Sequence, residues 1–266
     1  MKYNFLGNSG LKVSEYCLGS MTWGEASSEK TGHWQLDAAI EHGINFVDTA
    51  EMYPTNPMRR ETAGKTEKII GTWIKKRKHH SDVVIATKIT GEGSATVRDG
   101  SPITKNQIRK SLDESLSRLN AEYVDLYQLH WPNRGSYHFR KYWNYNPTSQ
   151  ISKEMDDHVQ EVLSVSSDLI REGKIRALGL SNESAWGTMK FISGVENDVA
   201  FYSVLQGLEP GRKYYVRAFA SNLEGVGYGF SISFETAGSM VWPSWSDAQP
   251  MDAGEGWWSS SWFGTF

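Results

Sequence analysis

Apolar positions in this chain follow two rhythms that take turns along its first two thirds. Short, mainly apolar runs come at Ile44–Val47, Val83–Ala86, Val124–Leu129 and Ile175–Leu180. Between them lie longer stretches whose apolar residues recur every three or four positions. The clearest stripes are Ile69, Ile70, Trp73 and Ile74, then Ile108, Leu112, Leu116 and Leu119, then Met155, Val159, Val162, Leu163 and Leu169. The first rhythm predicts strands buried on both faces, and the second predicts helices that cover them. Strand and helix in alternation indicate a parallel sheet with helices on its outer side.

Punctuation agrees with that reading. Gly7-Asn8-Ser9-Gly10 separates Lys2–Leu6 from Leu11–Tyr16 and predicts an N-terminal hairpin. A short strand at Tyr16–Gly19 precedes a helix from about Glu29 to His42 that Gly43 stops. Thr104 with Gln107 resembles a capping box at the head of the next-but-one helix. Gly173 ends a later helix, and another begins near Ser184. The sum is about five βα units by residue 192, part of a (β/α)8 barrel. Asn133–Lys153 has no clear period and reads as a long loop of the kind that serves a site.

Composition changes that picture at one place. The chain has 266 residues, with 39% hydrophobic and 22% charged, which is ordinary for a globular protein. The net charge of −3 gives no basis for nucleic-acid binding. From Ser193 onward there are three basic residues against eight acidic ones, and all seven histidines lie before that point. Five of the eleven tryptophans fall after Met240. The break divides the chain into a barrel-like part (1–192), a β-rich segment (193–238) and a Trp/Gly/Ser-rich tail (239–266). The β-rich segment predicts strands at Ala200–Leu205, Lys213–Ser221 and Phe230–Thr236. A single cysteine, Cys17, rules out a disulfide framework or Cys-cluster metal site and reads as a buried, inert thiol. No stretch is long and apolar enough to span a bilayer, and the start has no signal-peptide core, so a cytoplasmic location is expected.

The candidate chemistry sits where the apolar runs end. Asp48, Tyr53, Lys88 and His130 each close a predicted strand or follow one within a few residues. In a βα barrel those ends open on one rim, where active sites lie. Each residue alone has an ordinary structural reading, as a cap, a packed ring, a surface charge or a satisfied histidine. Together they compose a proton-transfer site. A phenol keeps its proton at neutral pH, an ammonium beside it stabilises the phenolate, and a carboxylate holds the ammonium charged. The histidine can donate to a carbonyl oxygen or help move the proton. The set suits proton donation to a carbonyl under reduction. No serine or cysteine nucleophile is placed beside His130, and Asp48 with Glu51 lacks the context of a glycosidase pair.

Residues 1–192 resemble an aldo-keto reductase, in the branch that holds the potassium-channel β subunits and their bacterial relatives. The resemblance rests on six segments: 7–14, Leu-Gly-Ser-Met-Thr-Trp-Gly at 18–24, Gly-Ile-Asn-Phe-Val-Asp-Thr-Ala-Glu-Met-Tyr at 43–53, Ala-Thr-Lys at 86–88, 124–132 and Gly-Lys-Ile-Arg-Ala-Leu-Gly-Leu-Ser-Asn at 173–182. It implies a catalytic tetrad of Asp48, Tyr53, Lys88 and His130, with Tyr53 the general acid. It implies NADP as cofactor, held by Met21, Thr22, Trp23, Asp48, Ser181 and Asn182, with Ser181 and Asn182 on the carboxamide. Trp23, Tyr53 and Trp131 would line the pocket of a small-molecule carbonyl substrate. Leu208–Ala218 and Asn222–Gly229 resemble the later half of a fibronectin type III domain, with Tyr214 at its corner. After Ile192 no further βα unit is read, nor are the family's stacking residue on the seventh strand or its 2′-phosphate grip after the eighth. Two functions therefore stand: a reductase of aldehydes and ketones, and a chimeric or truncated chain without turnover that acts as a binding or surface module.

Overall fold

The order of the strands follows from the order of the sequence. In the computed structural model, residues 1–7, 9–55, 57–77, 81–134, 146, 150–194, 212–222 and 225–235 are described. They divide into two compact units, Met1–Glu183 and Ser184–Phe266.

In the first unit, strands β1 (Tyr3–Phe5) and β2 (Lys12–Ser14) form the N-terminal hairpin. Five parallel strands follow: β3 (Cys17–Gly19), β4 (Phe46–Asp48), β5 (Val84–Ile89), β6 (Val124–Leu129) and β7 (Ile175–Leu180). They pair in the order β3-β4-β5-β6-β7, each with its predecessor in the chain. Four helices connect them: α1 (Glu29–Glu41), α2 (Lys65–Arg77), α3 (Lys105–Leu119) and α4 (Ser152–Arg171). This is the parallel, helix-connected arrangement of a βα barrel.

Register sorts the side chains. Gly19, Asp48, Ala86, Leu126 and Ala177 stand side by side across the sheet, and so do Lys88, Gln128 and Gly179. With the two-residue period of a strand, all of these share the inner face. At the N-terminal end of that face, Leu6, Leu11 and Val13 of the hairpin pack on Phe46, Val84 and Ala177. The central strand β5 is buried at every position. The edge strand β3 is not: Cys17 and Gly19 are exposed, and so Cys17 is not the buried thiol expected from its apolar neighbours.

The helices are fixed to each other by pairs that periodicity does not reveal. Trp73 Nε1 on α2 donates to Asp37 Oδ1 on α1 at 2.9 Å. Arg118 Nε on α3 donates to the fully buried Glu67 Oε2 on α2 at 2.6 Å, while Thr87 Oγ1 on β5 donates to Glu67 Oε1 at 2.5 Å. Helix α2 meets α3 at Gly71, where a Cβ would lie 2.1 Å from the Arg118 carbonyl oxygen. The Thr104 cap accepts the Gln107 N–H, but Gln107 Oε1 is buried without a partner among the described residues, so only half of the expected capping box forms.

In the second unit, α5 (Ala185–Gly194) completes the fifth βα unit in sequence order. Strands β8 (Lys213–Asn222) and β9 (Gly225–Glu235) form an antiparallel hairpin in which Asn222 pairs with Gly225. Strand β9 begins five residues earlier than expected. A two-stranded hairpin is common to many folds and does not carry the fibronectin type III resemblance. The strand expected at 200–205 and the Trp-rich tail lie outside the described residues, as does most of the loop 133–153. Among the described residues, no helix is long and apolar enough to cross a membrane.

Candidate active site

Asp48 ends β4, Lys88 lies one residue before the end of β5, and His130 follows β6 directly. Because the strands are parallel and in register, all three emerge at the same rim. Tyr53 reaches it from the turn after β4, whose backbone is tied to β5 by Thr49 N–H to Ala86 O at 2.9 Å and Glu51 N–H to Lys88 O at 3.2 Å.

Lys88 is the hub. Its Nζ donates to Asp48 Oδ2 at 2.6 Å, to Thr49 O at 2.7 Å and to the Tyr53 hydroxyl at 3.4 Å. It also stands 4.8 Å from the centre of the Tyr53 ring. The imidazole of His130 meets that ring edge-on at 5.7 Å between centres. Gln128 Nε2 donates to the other Asp48 oxygen, Oδ1, at 3.3 Å. The four residues expected to form one site are therefore gathered into one. Gln128 is an addition: its place beside Lys88 in the register is visible only once β5 and β6 are aligned.

Burial sets the electrostatics. Lys88 and His130 are each 5% exposed. Burial lowers the Lys88 ammonium from its usual value, opposed by the Asp48 carboxylate, which raises it. Burial pushes the Tyr53 phenol up, and the negative Asp48 adds to the rise. From the sequence, Lys88 beside the phenol is expected to bring that pKa down. Asp48, only 2.6 Å from the ammonium, offsets its field at the phenol, and desolvation sets the direction. His130 is pushed down to about 3, first by burial and then by the Lys88 charge, so it is neutral. Among the described residues its Nδ1 is buried with no hydrogen-bond partner, which leaves Nε2 as the nitrogen for a ligand oxygen.

The residues expected around a cofactor divide. Asn182, at φ +52°, donates from Nδ2 to His130 O at 2.9 Å and to Ser181 Oγ at 3.1 Å, and Ser181 N–H donates to Leu129 O at 2.9 Å. The end of β7 is thus bound to the end of β6. On the opposite side, Ser20 Oγ donates to Asp48 O at 2.7 Å and Thr55 N–H to Met21 O at 3.0 Å, which bring the Met21–Trp23 loop beside the Tyr53 turn. Met21 is exposed and Thr22 half-buried. Trp23 is different. It is 1% exposed, donates its indole N–H to Gln35 Oε1 at 2.6 Å, and packs where a Cβ on Gly32 of α1 would touch its ring. That placement puts Trp23 in the packing beneath the helices and takes it out of the expected pocket wall. Trp131 stays at the rim, tilted on His130 at 5.0 Å, with its N–H on Glu92 O at 3.1 Å. Gly91 is needed there, since a Cβ would lie 2.2 Å from the indole. Among the described residues, no three His, Cys, Asp or Glu side chains are grouped to hold a metal.

Known proteins resemble this chain in sequence and in fold. Residues 15–206 match the model of the Aldo/keto reductase family. Protein tas of Escherichia coli is 38% identical over 196 residues, which cover 72% of this chain and 55% of that protein. The uncharacterized oxidoreductase YrpG of Bacillus subtilis is 32% identical over 194 residues, 71% of this chain and 52% of that protein. Norsolorinic acid reductase B of Aspergillus parasiticus is 30% identical over 195 residues, 68% of this chain and 43% of that protein. The holo form of an aldo-keto reductase from Bacillus halodurans superposes with a TM-score of 0.56 at 28% identity, over 74% of this chain and 55% of that one. A thermostable aldo-keto reductase in complex with the inhibitor epalrestat gives 0.53 at 27% identity, over 75% and 60%. The chain spans about half the length of the curated relatives it matches. With a parallel sheet of five strands, a rim that gathers Asp48, Tyr53, Lys88 and His130, and a family match over 15–206, this chain belongs to the aldo/keto reductase family.

Proposed function

We propose that the chain is an NADP-dependent reductase of aldehydes and ketones, with Tyr53 as the proton donor. The observation that carries the reading is the Lys88 ammonium held between Asp48 at 2.6 Å and the Tyr53 hydroxyl at 3.4 Å. A phenol pushed up by burial stays protonated across the physiological range, and a fixed ammonium beside it stabilises the phenolate left after donation. Neutral His130 offers Nε2 to the carbonyl oxygen and orients it toward Tyr53. Trp131 packs on His130 and closes that side of the rim.

The donor set fits a nicotinamide. Ser181 and Asn182 bring a hydroxyl and an amide oxygen to the end of β7, with Asp48 and Gln128 across the inner face, as a carboxamide requires. When bound, the reduced nicotinamide supplies a hydride to the carbonyl carbon. The name of the norsolorinic acid reductase and the holo state of the Bacillus halodurans enzyme support a reductive, cofactor-dependent reaction. The motifs at 43–53 and 124–132 support the branch that includes the potassium-channel β subunits, and a cytoplasmic setting accords with it.

The test is Tyr53→Phe, assayed by NADPH oxidation with a panel of small aldehydes and ketones. Turnover falls below detection while the circular dichroism spectrum is unchanged. NADPH oxidation at the parental rate in that variant overturns the assignment. A second reading, a binding module without turnover, draws on the exposed inner positions Cys17 and Gly19 of edge strand β3. Titration of nicotinamide fluorescence separates the two, since micromolar or tighter NADPH binding defeats the second.

A further inference from the structure

Three residues of the first unit are buried, charged or polar, and unused by the chemistry above: Glu51, Arg98 and Ser111. The carboxylate of Glu51 is 3% exposed. Its Oε1 accepts Thr90 N–H at 2.6 Å and both Arg98 Nε and Nη2, at 3.2 and 3.1 Å. Its Oε2 accepts Ser111 Oγ–H at 2.6 Å, and Ser111 Oγ in turn accepts the Tyr127 hydroxyl at 3.0 Å. Arg98 goes on to the carbonyls of Thr90 and, at 3.2 Å, of Ser101.

The places matter more than the number of bonds. Glu51 lies two residues before Tyr53 and three after Asp48. Thr90 lies two after Lys88. Tyr127 lies three before His130. One carboxylate therefore links the three chain segments that carry the whole tetrad, and α3 through Ser111, from behind the rim. Arg98 and Asp99 both sit at left-handed φ, 50° and 52°, in a loop that bends to deliver the guanidinium. Such conformations in consecutive non-glycine residues persist only where the surroundings hold them.

We propose that Glu51 and Arg98 form a positioning pair that sets the distance between Tyr53 and Lys88. The inference rests on the reading of Tyr53 as proton donor. Neither side chain touches substrate or cofactor; both act through the turn 49–53 and the end of β5. Lost alignment of a proton donor lowers kcat far more than it changes KM.

The decisive variant is Glu51→Gln with Arg98→Met, which removes both buried charges together and leaves neither unpaired. Two readouts are taken: kcat and KM for NADPH-dependent reduction, and the 13Cζ resonance of Tyr53, assigned with Tyr53→Phe. The expected result is a folded protein with kcat down about 10- to 100-fold and KM within about threefold. The Tyr53 resonance moves toward its position in Lys88→Met. Parental kcat, or a Tyr53 resonance that does not move, overturns the proposal. If the double variant does not fold, Arg98→Lys replaces it: the charge stays, but the fork that holds Thr90 O and Ser101 O is gone. It shows kcat down about three- to tenfold with the same direction of resonance shift, and parental values for either again overturn the proposal. If the parent has no turnover, the reductase reading fails, and the resonance alone decides whether the pair positions Tyr53.

Discussion

Replacing Lys88 by Met isolates the part of the site that distinguishes a tuned phenol from an ordinary one. Methionine preserves the length of the buried stem and removes the charge. The ammonium is 3.4 Å from the Tyr53 oxygen. At that separation a unit charge stabilises a forming phenolate by about 5 kcal/mol at an effective dielectric near 20 and by about 1 kcal/mol in bulk water. Tyr53 is half-buried and Lys88 fully so, which places the site between those limits. Asp48, 2.6 Å from Nζ, offsets part of the ammonium's field while it is present. In Lys88→Met the same carboxylate opposes the phenolate with nothing to balance it. A net loss of about 2–4 kcal/mol follows, or about 30- to 1000-fold in kcat. The assay is steady-state NADPH oxidation from pH 6 to 9, with folding checked by thermal denaturation. Since Tyr53 is pushed up further in the variant, its rate does not recover toward high pH. A Lys88→Met protein within about threefold of the parent refutes the reasoning, because it would mean that Lys88 supports the fold and not the phenol.

Two stability predictions follow from burial. His130 has a folded-state pKa of about 3 against 6.5 when unfolded, so the unfolded chain binds the extra proton between those values. Stability is complete above pH 6.5 and is lost as pH falls toward 3; from pH 7 to 4.5 the parent loses about 2–3 kcal/mol more than His130→Gln in urea unfolding, and equal losses refute burial as the cause. Gly71→Ala gains about 1 kcal/mol of helix propensity but sets a methyl 2.1 Å from Arg118 O, and forcing α2 from α3 costs about 3 kcal/mol, so the midpoint falls. An unchanged or raised midpoint refutes that close approach.

Much of this was legible because it depends on local chemistry. The apolar runs at 83–86, 124–129 and 175–180 became β5, β6 and β7, and the stripes at 69–74 and 108–119 became the buried faces of α2 and α3. Parallel strands bring their C-terminal ends to one rim, which is why Asp48, Lys88 and His130 lie together. What was not legible depends on partners distant in sequence. Glu51 reads as one more loop carboxylate until Arg98, 47 residues on, is found against it. Trp23 reads as a rim aromatic in a turn, but Gly32 and Gln35 of α1 draw it inside. Cys17 has apolar neighbours, yet lies on an edge strand and is exposed. A one-dimensional pattern records which residues prefer burial, and the third dimension decides which of them obtain it.

The strand order β3-β4-β5-β6-β7 also bears on how the first unit is made. Every new strand pairs with the one synthesised just before it, so assembly asks for loop closure only across a single connecting helix. A nascent chain leaving the ribosome N-terminus first can add one βα unit at a time to a growing edge. The tetrad is then completed in stages: Asp48 and Tyr53 wait for Lys88, and the three wait for His130. Slowing translation between residues 90 and 124 would hold the chain at the stage where the ammonium has its carboxylate and the imidazole has not yet been delivered.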